Sequence, residues 1–431
     1  MLYDNLGINA RGHLTFAGMD TTDLAAKYGT PLLLMDEQRL RDRCREYKNA
    51  MAAYLPAGSK PLYASKALSF QGMYRIMQQE GMGIDVVSPG ELYTAVAAGY
   101  PMENVFFHGN SKTDGDIAFA MDHQIGCFVC DVADEIDAID REAQKRGIRQ
   151  KILLRLSPGI DPHTHAKIST GSIDCKFGAV IENGQAESLV RHTLQKTNID
   201  LQGYHCHIGS QIFDHAPFCD AAVIMLQFIA QIKKELGFEA PVLNLGGGMA
   251  VPYTRQEGSI DYTANIRAIG QLVQAHCQKL GLTPPVILME PGRSIVADCG
   301  MTLYTVTGTK QIPGFKNYAA VDGGMTDNPR FTLYEAAYTV LPASRMEEER
   351  DFVCTVAGRC CESGDLIQDN VALPTPNRGD LLAVLTTGAY NYSMASNYNR
   401  IPRPPVVMVN GGESYVAVRR ETYADLTQYD M

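Results

Sequence analysis

The sequence predicts an α/β barrel, a TIM-like (β/α)8 fold, followed by a C-terminal antiparallel β-domain that the N-terminal segment joins. Two observations carry this prediction. Between about residues 60 and 290, short apolar runs alternate with longer amphipathic stretches, which is typical of parallel strands joined by helices. After about residue 300, apolar and polar residues alternate and turn signals separate the runs, which is typical of antiparallel strands. We expect the barrel over residues 30–290 and the β-domain over residues 1–29 and 291–431.

Eight apolar runs fill the predicted barrel, and eight strand–helix units are the number that closes such a fold. The runs are PLYASK (61–66), GIDVVS (83–88), NVFFHG (104–109), CFVCD (127–131), KILLRLS (151–157), GYHCHIG (203–209), PVLNLGG (241–247) and VILMEPG (286–292). Helical patterns lie between them, and the long pattern AAVIMLQFIAQIKKELGF after the sixth run ends at Gly237. An open doubly wound sheet is the alternative architecture.

Polar or glycine-rich residues stand where each run ends. They are Lys66, Asp85, His108, Asp131, Arg155, His207, Gly246 to Gly248 and Glu290. In a barrel all eight carboxyl ends converge on one mouth, where barrel enzymes hold their sites, whereas in an open sheet these residues would spread along an edge. The pattern therefore favours the barrel.

The β-domain prediction rests on five runs after residue 300: MTLYTVTGTKQI, NYAAVDGG, FVCTVAGRCC, LLAVLTTGAY and VVMVNGG. No long helical pattern separates most of these runs. The opening segment LGINARGHLTFAG has the pattern of a strand pair, so we expect it to join this domain.

Composition argues against several classes of protein. The chain has 431 residues, of which 45% are apolar and 20% charged, and its net charge of −10 without a basic run argues against nucleic-acid binding. The amino terminus lacks the pattern of a targeting signal, and we expect no apolar run long enough to span a bilayer. A cytoplasmic protein without membrane contact is the expectation.

The cysteines are eleven, an odd number scattered along the chain, which favours reduced thiols over a disulfide framework. Cys127 and Cys130 form a CxxC pair that could serve a metal or redox site. They lie in a strand-like run, however, and no second cysteine or histidine pair follows at zinc spacing, so we expect a structural role and no metal.

Lys66 ends the first run and is the candidate nucleophile of the barrel mouth. Burial lowers the pKa of a lysine, so its amine is more often neutral and can act as a nucleophile. Such an amine suits a Schiff base with an aldehyde cofactor. The alternative is a lysine that extends from a strand end into water.

Gly246, Gly247 and Gly248 follow the seventh run, where three glycines allow the backbone to approach an anion and to offer its N–H groups. Ser210, just past the sixth run, could add a hydroxyl to the same phosphate. The spacing does not match the G-x-G-x-x-G dinucleotide pattern, and a plain turn is the alternative.

His205 and His207 point to the same side of the sixth strand, because one residue separates them. Metal binding is possible, but stacking of His207 on a flat cofactor ring is the better interpretation. Glu290 ends the eighth strand, where a carboxylate can hold a proton on a ring nitrogen. The alternative for Glu290 is an ion pair with Arg293.

Seven motifs occur in one order along the chain: YASKA, GIDVVSPGEL, HCHIGSQ, NLGGG, EPGRS, CCESGD and GAY. Together they resemble the barrel-type (fold type III) pyridoxal-phosphate-dependent decarboxylases over essentially the whole chain. The polar stretch HTHAKISTGSIDCKFG (163–178), a candidate lid or dimer contact, and DGGMTDNPRFTLYEA resemble the branch of that family that acts on diaminopimelate. The resemblance implies pyridoxal 5'-phosphate as cofactor, a homodimer with shared active sites, and decarboxylation of meso-2,6-diaminopimelate to L-lysine and carbon dioxide, the last step of lysine biosynthesis.

The resemblance also implies a role for each candidate residue. Lys66 would be the Schiff-base lysine, His207 would stack on the cofactor ring and Asp85 would orient that histidine. Glu290 would pair with the pyridine nitrogen. The implied cofactor-binding set is Lys66, Asp85, His207, Ser210, Gly246, Gly247, Gly248, Glu290, Pro291, Gly292, Arg293 and Tyr390.

The implied catalytic set is Lys66, His207 and Cys361, with Cys361 as the proton donor that enters from the partner subunit. Arg330 and Tyr334 would bind the substrate's far carboxylate, and Glu362, also from the partner, its far amino group. Tyr390 would contact both cofactor and substrate. Arg293 would bind the phosphate, the substrate or both. The implied substrate-binding set is Arg293, Arg330, Tyr334, Glu362 and Tyr390.

Three rival functions remain open at this point. A related decarboxylase for ornithine, lysine or arginine would need an acid at the far end of its site, whereas here Arg330 accompanies Glu362. Amino-acid racemases share a similar barrel but pair the ring nitrogen with a base. A pyridoxal-phosphate carrier without catalysis would be a single barrel and would not need residues 300–431.

Overall fold

The computed structural model describes residues 1–160 and 175–431 of the chain. Two compact units divide it. The barrel unit is Arg43–Ala250 with Ile260–Gly292, and the β unit is Met1–Asp42, Val251–Ser259 and Arg293–Met431. Residues 30–42, which we expected in the barrel, belong to the β unit because the strand Leu32–Asp36 hydrogen-bonds within its sheet. Residues 251–259, also expected in the barrel, belong to the β unit, where Tyr253 packs in a buried cluster with Tyr304, and residues 291–292 belong to the barrel unit. Residues 163–174 of the candidate lid loop lie outside the described residues.

The barrel unit contains a closed parallel barrel, which confirms the predicted architecture over the open sheet. Its strands are Lys60–Ala64, Gly83–Val86, Val105–Phe107, Cys127–Cys130, Gln150–Ser157, Ile199–His205, Val242–Asn244 and Val286–Met289. Each strand pairs in parallel with the next, and the eighth pairs with the first, where Leu288 and Met289 lie beside Lys60 and Pro61. All carboxyl ends therefore open on one side. A short strand, Ala179–Val180, extends the sheet beside the fifth.

Helices alternate with the barrel strands. They are Glu37–Tyr54, Gln71–Gln79, Pro89–Ala98, Asp114–Asp122, Ala133–Arg146, Gln185–Leu194, Ala216–Leu236 and Tyr262–Leu280. Their ends follow local sequence signals. In Pro89–Ala98, the Ser88 hydroxyl accepts from the Glu91 N–H at 3.2 Å, and Gly99 ends the helix with a φ of 73°.

The helix Ala216–Leu236 ends at Gly237, as the sequence predicts. By length and composition it is apolar enough to cross a membrane, contrary to our expectation that no apolar run has that length. Its buried positions include Phe218, Met225 and Ile232, spaced as on one face of a helix. This helix is therefore apolar on the face that packs within the barrel unit.

The barrel interior is an apolar core. Leu62, Leu153 and Leu288, from three different strands, are buried together in one cluster with Cys127 and Val129. Burial raises the pKa of the Cys127 and Cys130 thiols. All eleven cysteines are free thiols in the structure.

The β unit is built on one large sheet. Its strands, in spatial order, are Leu366–Leu373, Phe352–Ala357, Asn317–Val321, Gly300–Gln311, Leu32–Asp36, Val406–Asn410 and Glu413–Val418. Leu381–Leu385 branches from Gly300–Gln311 and pairs in turn with Val340–Pro342. Two pairs are parallel, so the sheet is mixed rather than antiparallel. In both pairs a long connection joins the strands, and no tight turn forces them to run in opposite directions.

The opening segment forms the predicted strand pair, Leu6–Ile8 against Leu14–Phe16, with a third short strand at Met19–Asp20. Leu14 and Phe16 pack in a buried cluster of the β unit with residues of the large sheet such as Leu303. The short helices of this unit are Thr21–Tyr28, Arg293–Val296, Arg330–Tyr334 and Tyr423–Thr427.

Candidate active site

Lys66 lies in a single 3-10 turn, Ser65–Ala67, directly after the first barrel strand. Its side chain is exposed at this end of the barrel unit. The segment after the eighth strand is fixed against the same turn: Ala64 N–H donates to the Pro291 carbonyl at 3.1 Å. A Cβ on Gly292 would lie 2.8 Å from the Ala64 Cβ, so only glycine allows this approach.

Glu290 is the centre of a buried polar network in the barrel unit. His108 Nε2 lies 2.8 Å from its Oε1, His205 Nε2 lies 3.1 Å from its Oε2, and Asn244 Nδ2 donates to Oε1 at 2.7 Å. Burial by itself raises the pKa of this carboxyl, but His108 and His205 outweigh burial and hold the pKa well below its usual range. Glu290 is therefore an ionised carboxylate.

His205 is a neutral donor in this network. Burial lowers its pKa to about 4, although Glu290 opposes the change. Because Nε2 faces a carboxylate that can only accept, Nε2 carries the ring proton, and the buried Nδ1 has no hydrogen-bond partner among the described residues. The ligand atoms of His108, His205 and Glu290 lie within 4.8 Å of one another, a spacing that can also hold a metal ion, whereas the sequence led us to expect none.

Asn244 is a site residue that sequence reasoning missed. Besides donating to Glu290, its Oδ1 accepts from the Gly246 N–H at 2.9 Å. One side chain thus connects the carboxylate to the glycine loop. The sequence feature that could have identified Asn244 is its position as the last polar residue of the seventh strand, directly before Leu-Gly-Gly-Gly.

At the three positions after the seventh strand, neighbouring backbone atoms or a positive φ favour glycine over any other residue. A Cβ on Gly247 would lie 2.0 Å from the Glu290 carbonyl oxygen, and one on Gly248 would lie 2.4 Å from that of Gly209. Gly246 has a φ of 68°, a conformation that side chains disfavour. Ser210 follows Gly209 and is half-buried. The sixth, seventh and eighth strand ends therefore meet at this loop, where backbone N–H groups can serve an anion.

His207 and Asp85 take different positions in this unit. His207 Nδ1 is 3.1 Å from the Gly247 carbonyl, and burial, aided by the Lys66 charge, lowers the pKa of this imidazole well below its usual value. Burial raises the pKa of Asp85 to about 6, Glu290 adds to this, and His108 and Lys66 oppose it. The role of Asp85 in orienting His207 stays a prediction.

Asp131 and Arg155, at the ends of the fourth and fifth strands, contact the segment that begins at residue 175. Asp131 Oδ2 accepts from the Gly178 N–H at 2.9 Å, and the Arg155 guanidinium lies 4.3 Å from the Phe177 ring centroid. Neither residue had an assigned role, and both have a structural partner here.

In the β unit, two arginines lie among tyrosine rings. Arg293 donates to the Tyr253 hydroxyl at 2.6 Å and lies 4.8 Å from the Tyr390 ring centroid. The Arg330 guanidinium lies 5.5 Å from the Tyr334 ring centroid, 5.6 Å from that of Tyr253 and 6.0 Å from that of Tyr390. The predicted residues Arg293, Arg330, Tyr334 and Tyr390 thus form one cluster, and Tyr253 is a member that sequence reasoning missed.

Arg330 is 6% exposed, and no carboxylate in residues 1–160 or 175–431 lies within salt-bridge distance of it. Its Nε has no hydrogen-bond partner among these residues. A buried guanidinium without a counter-ion is costly, so this cluster is suited to receive a carboxylate from a ligand.

Cys361 and Glu362 are exposed on the β unit, whereas the neighbouring Cys360 is buried. Asp365 fixes their loop, because its side chain accepts from the N–H groups of Cys360 at 2.7 Å and Met325 at 2.6 Å. Burial raises the pKa of the Cys360 thiol to about 11. The two adjacent cysteines therefore have opposite environments.

The barrel unit provides the groups that pyridoxal phosphate requires. It offers an exposed primary amine at Lys66, an ionised buried carboxylate at Glu290 and a glycine loop whose backbone can face a phosphate. Asp85 Oδ1 is a buried carboxylate oxygen without a hydrogen-bond partner in the described residues. Fold and site together define a barrel-type pyridoxal-phosphate-dependent enzyme.

Comparison with known proteins specifies the family. A model of the pyridoxal binding domain of pyridoxal-dependent decarboxylases matches residues 37–297. The chain is 46% identical over 425 residues to diaminopimelate decarboxylase from Bacillus subtilis (strain 168), covering 98% of this chain and 96% of that protein. It is 44% identical over 414 residues to the Bacillus methanolicus enzyme of that name, covering 96% of each.

Among solved structures, diaminopimelate decarboxylase from M. jannaschii in complex with L-lysine superposes with a TM-score of 0.90 at 32% identity, covering 99% of this chain and 98% of that one. The chain belongs to the diaminopimelate decarboxylase family.

Proposed function

We propose that this protein uses pyridoxal 5'-phosphate to decarboxylate meso-2,6-diaminopimelate to L-lysine and carbon dioxide, the last step of lysine biosynthesis. Its membership of the diaminopimelate decarboxylase family supports the reaction. The observation that carries the substrate assignment is the buried Arg330 guanidinium, which lacks a carboxylate partner among the described residues.

Lys66, Glu290 and the glycine loop would hold the cofactor. Pyridoxal phosphate, when bound, supplies an aldehyde that binds amines covalently and a ring that accepts electrons from the substrate's α carbon. Lys66 would provide the amine, and the backbone N–H groups of Gly246 to Gly248, with Ser210, would receive the phosphate. Pro291, Gly292 and Arg293 complete the proposed cofactor-binding set.

Glu290 would keep a proton on the cofactor's ring nitrogen. A carboxylate whose pKa is held well below its usual range stays ionised at neutral pH, so it can accept from a protonated ring nitrogen. His108, His205 and Asn244 would act as positioning residues, since each donates to or stands against a Glu290 oxygen. His207 would stack on the ring, fixed by its contact with the Gly247 carbonyl.

Arg330 would bind the far carboxylate of the substrate, supported by Tyr334. A planar guanidinium pairs with a carboxylate through two parallel hydrogen bonds, and the surrounding tyrosine rings exclude water from it. Arg293 and Tyr390 lie in the same cluster and would serve substrate and cofactor. Ornithine and lysine lack this second carboxylate and would leave the guanidinium unpaired.

We further propose that the protein is a cytoplasmic homodimer in which Cys361 and Glu362 of one subunit act in the site of the other. The exposure of both residues on a loop anchored by Asp365 supports this. Cys361 would give a proton to the substrate's α carbon after carbon dioxide leaves, and Glu362 would bind the far amino group.

A panel of substrates tests the proposed function. Purified protein with added pyridoxal phosphate is assayed for carbon dioxide release from diaminopimelate, lysine, ornithine and arginine. We expect release from diaminopimelate to exceed the others by at least a hundredfold. A preference for one of the other three would assign a different decarboxylase, and release from none would favour a cofactor carrier.

A further inference from the structure

The amino-terminal ends of the barrel strands, opposite the ends that carry Lys66 and Glu290, surround a cavity of about 690 Å³. This size is within the range of small-molecule sites. Its apolar wall consists of side chains from the third, fifth, seventh and eighth strands: Phe106, Leu153, Val242, Val286 and Leu288. Phe106, Val242 and Val286 are only partly buried, although they pack against the barrel's interior core.

Two lysines point into this cavity. Leu62 and Leu153 are members of the interior cluster, and side chains two residues apart on a strand share a face. Lys60 and Lys151 stand two residues before them, so both are directed to the barrel interior, and both line the cavity. Burial lowers the pKa of Lys60, and the charge of Lys151 lowers it further while Glu103 opposes them. The two ammonium groups therefore repel each other.

The charged side chains around this mouth carry one excess positive charge, which a single anion would neutralise. Arg146 is paired with Asp122 at 2.6 Å and with Glu142, which also pairs with Lys145 at 2.6 Å, so this group of four charges is neutral. No carboxylate of the described residues lies within 4.0 Å of Lys60, Arg149 or Lys151. Glu103 lines the cavity, and Asp200, the strand neighbour of Lys151, stands nearby. Three cations thus face two carboxylates, which leaves one positive charge.

We propose that this amino-terminal mouth of the barrel is a binding site for an amphipathic monocarboxylate, with its carboxylate between Lys60 and Lys151 and its apolar body against Phe106, Val242 and Val286. Lys60 Nζ already donates to Asn104 Oδ1 at 2.9 Å, which holds the ammonium in place and leaves it further donors. An apolar acid covers the wall and neutralises the excess charge at once. A phosphate or nucleotide would neutralise the excess charge but would leave the apolar wall uncovered.

Binding is tested on the holoenzyme by titration with octanoate, an acyl-chain probe, and with 3-phenylpropanoate, an aromatic-ring probe. Octan-1-ol and octylamine serve as uncharged and oppositely charged controls. Methyl resonances of Val242 and Val286 report the location. We expect saturable shifts at these methyls with at least one of the acids, and at least tenfold weaker binding of the alcohol and the amine.

Variants separate this site from general hydrophobic binding. The double variant Lys60→Gln/Lys151→Gln should weaken octanoate binding at least tenfold. If the double variant does not fold, the single variant Lys151→Gln, at an exposed position, replaces it in this test and should also weaken binding. Lys234→Gln, on the exposed surface of the helix Ala216–Leu236, is the matched control and should leave binding unchanged. Equal affinity for octanoate and octan-1-ol, no saturation with either acid, or shifts confined to other methyls would overturn the proposal.

Discussion

Asn244 donates its Nδ2 to Glu290 Oε1 at 2.7 Å and, through its Oδ1, accepts from the Gly246 N–H at 2.9 Å. A single amide therefore fixes both the carboxylate proposed for the ring nitrogen and the loop proposed for the phosphate. Because an amide has both donor and acceptor atoms, no carboxylate or apolar side chain can replace it at this position.

Replacing this amide should weaken cofactor binding and catalysis together. We expect Asn244→Ala to reduce the affinity of the apoprotein for pyridoxal phosphate and kcat by about tenfold each, since a buried carboxylate loses a donor worth about 1.5–3 kcal/mol. Asn198→Ala is the control, because Asn198 bonds Asp140 before the sixth strand begins. Fluorescence titration of the apoprotein measures the affinity. An unchanged affinity would show that Asn244 does not position the loop.

His205 should make the folded state sensitive to acid. Its pKa in the fold is about 4, whereas an unfolded histidine titrates near its ordinary value of 6.5. As pH falls from 6.5 to 4 the unfolded chain takes up a proton that the folded protein does not, so stability falls, on the order of 1 kcal/mol per pH unit. His205→Gln lacks this proton uptake.

The difference in thermal midpoint between wild type and His205→Gln, measured from pH 7.5 to 4.5, reports this uptake. We expect the wild type to lose stability relative to the variant as the pH is lowered. A difference that does not change with pH, or one that favours the wild type in acid, would contradict a neutral, buried His205.

Lys66, and no other lysine, should carry the cofactor. Borohydride reduction of the holoenzyme followed by peptide mapping is expected to place the label on Lys66. Lys112 is the sharpest comparison, because its ammonium is buried and already donates to Glu135 at 2.5 Å and to the Gly109 and Val129 carbonyls at 2.8 Å. Lys112→Gln should retain the label at Lys66, whereas label on Lys112 in the wild type would refute the assignment.

Much of this site could be predicted from the sequence because strand ends carry strong local signals. Apolar runs that end in Lys66, the three glycines and Glu290 need only the barrel topology to become neighbours. The role of Asn244 could not be predicted, because a lone asparagine within a strand has no pattern of its own. His108 was recognised as the end of a strand, but its contact with Glu290 depends on side-chain directions across the barrel.

The parallel strand pairs of the β unit could not be predicted from the sequence either. Leu32–Asp36 falls within residues 30–290, which we expected to form the barrel, yet it pairs with Val406–Asn410 near the other end of the chain. Periodicity reports that a segment is a buried strand, and it does not report which partner buries it.

Adjacent cysteines should respond differently to substitution. Cys361→Ala is expected to lower kcat about a hundredfold while cofactor binding is retained, since a proposed proton donor is lost. Cys360→Ala, at a buried thiol, should affect stability more than kcat. If the site is shared between subunits, mixing inactive Lys66→Ala with inactive Cys361→Ala protein restores part of the activity. Full activity in a strictly monomeric preparation would contradict a shared site.

Discrimination between diaminopimelate and lysine, expressed as the ratio of their kcat/KM values in wild type and in Arg330→Ala, tests the central claim most directly. Losing a buried charge pair costs about 2–5 kcal/mol, so the variant should lose roughly 30- to 5,000-fold in kcat/KM for diaminopimelate. Lysine, which lacks the second carboxylate, should be used very poorly by both proteins. We predict a high wild-type ratio that falls sharply in Arg330→Ala while cofactor binding is unchanged. Comparable use of the two substrates by the wild type would contradict the claim.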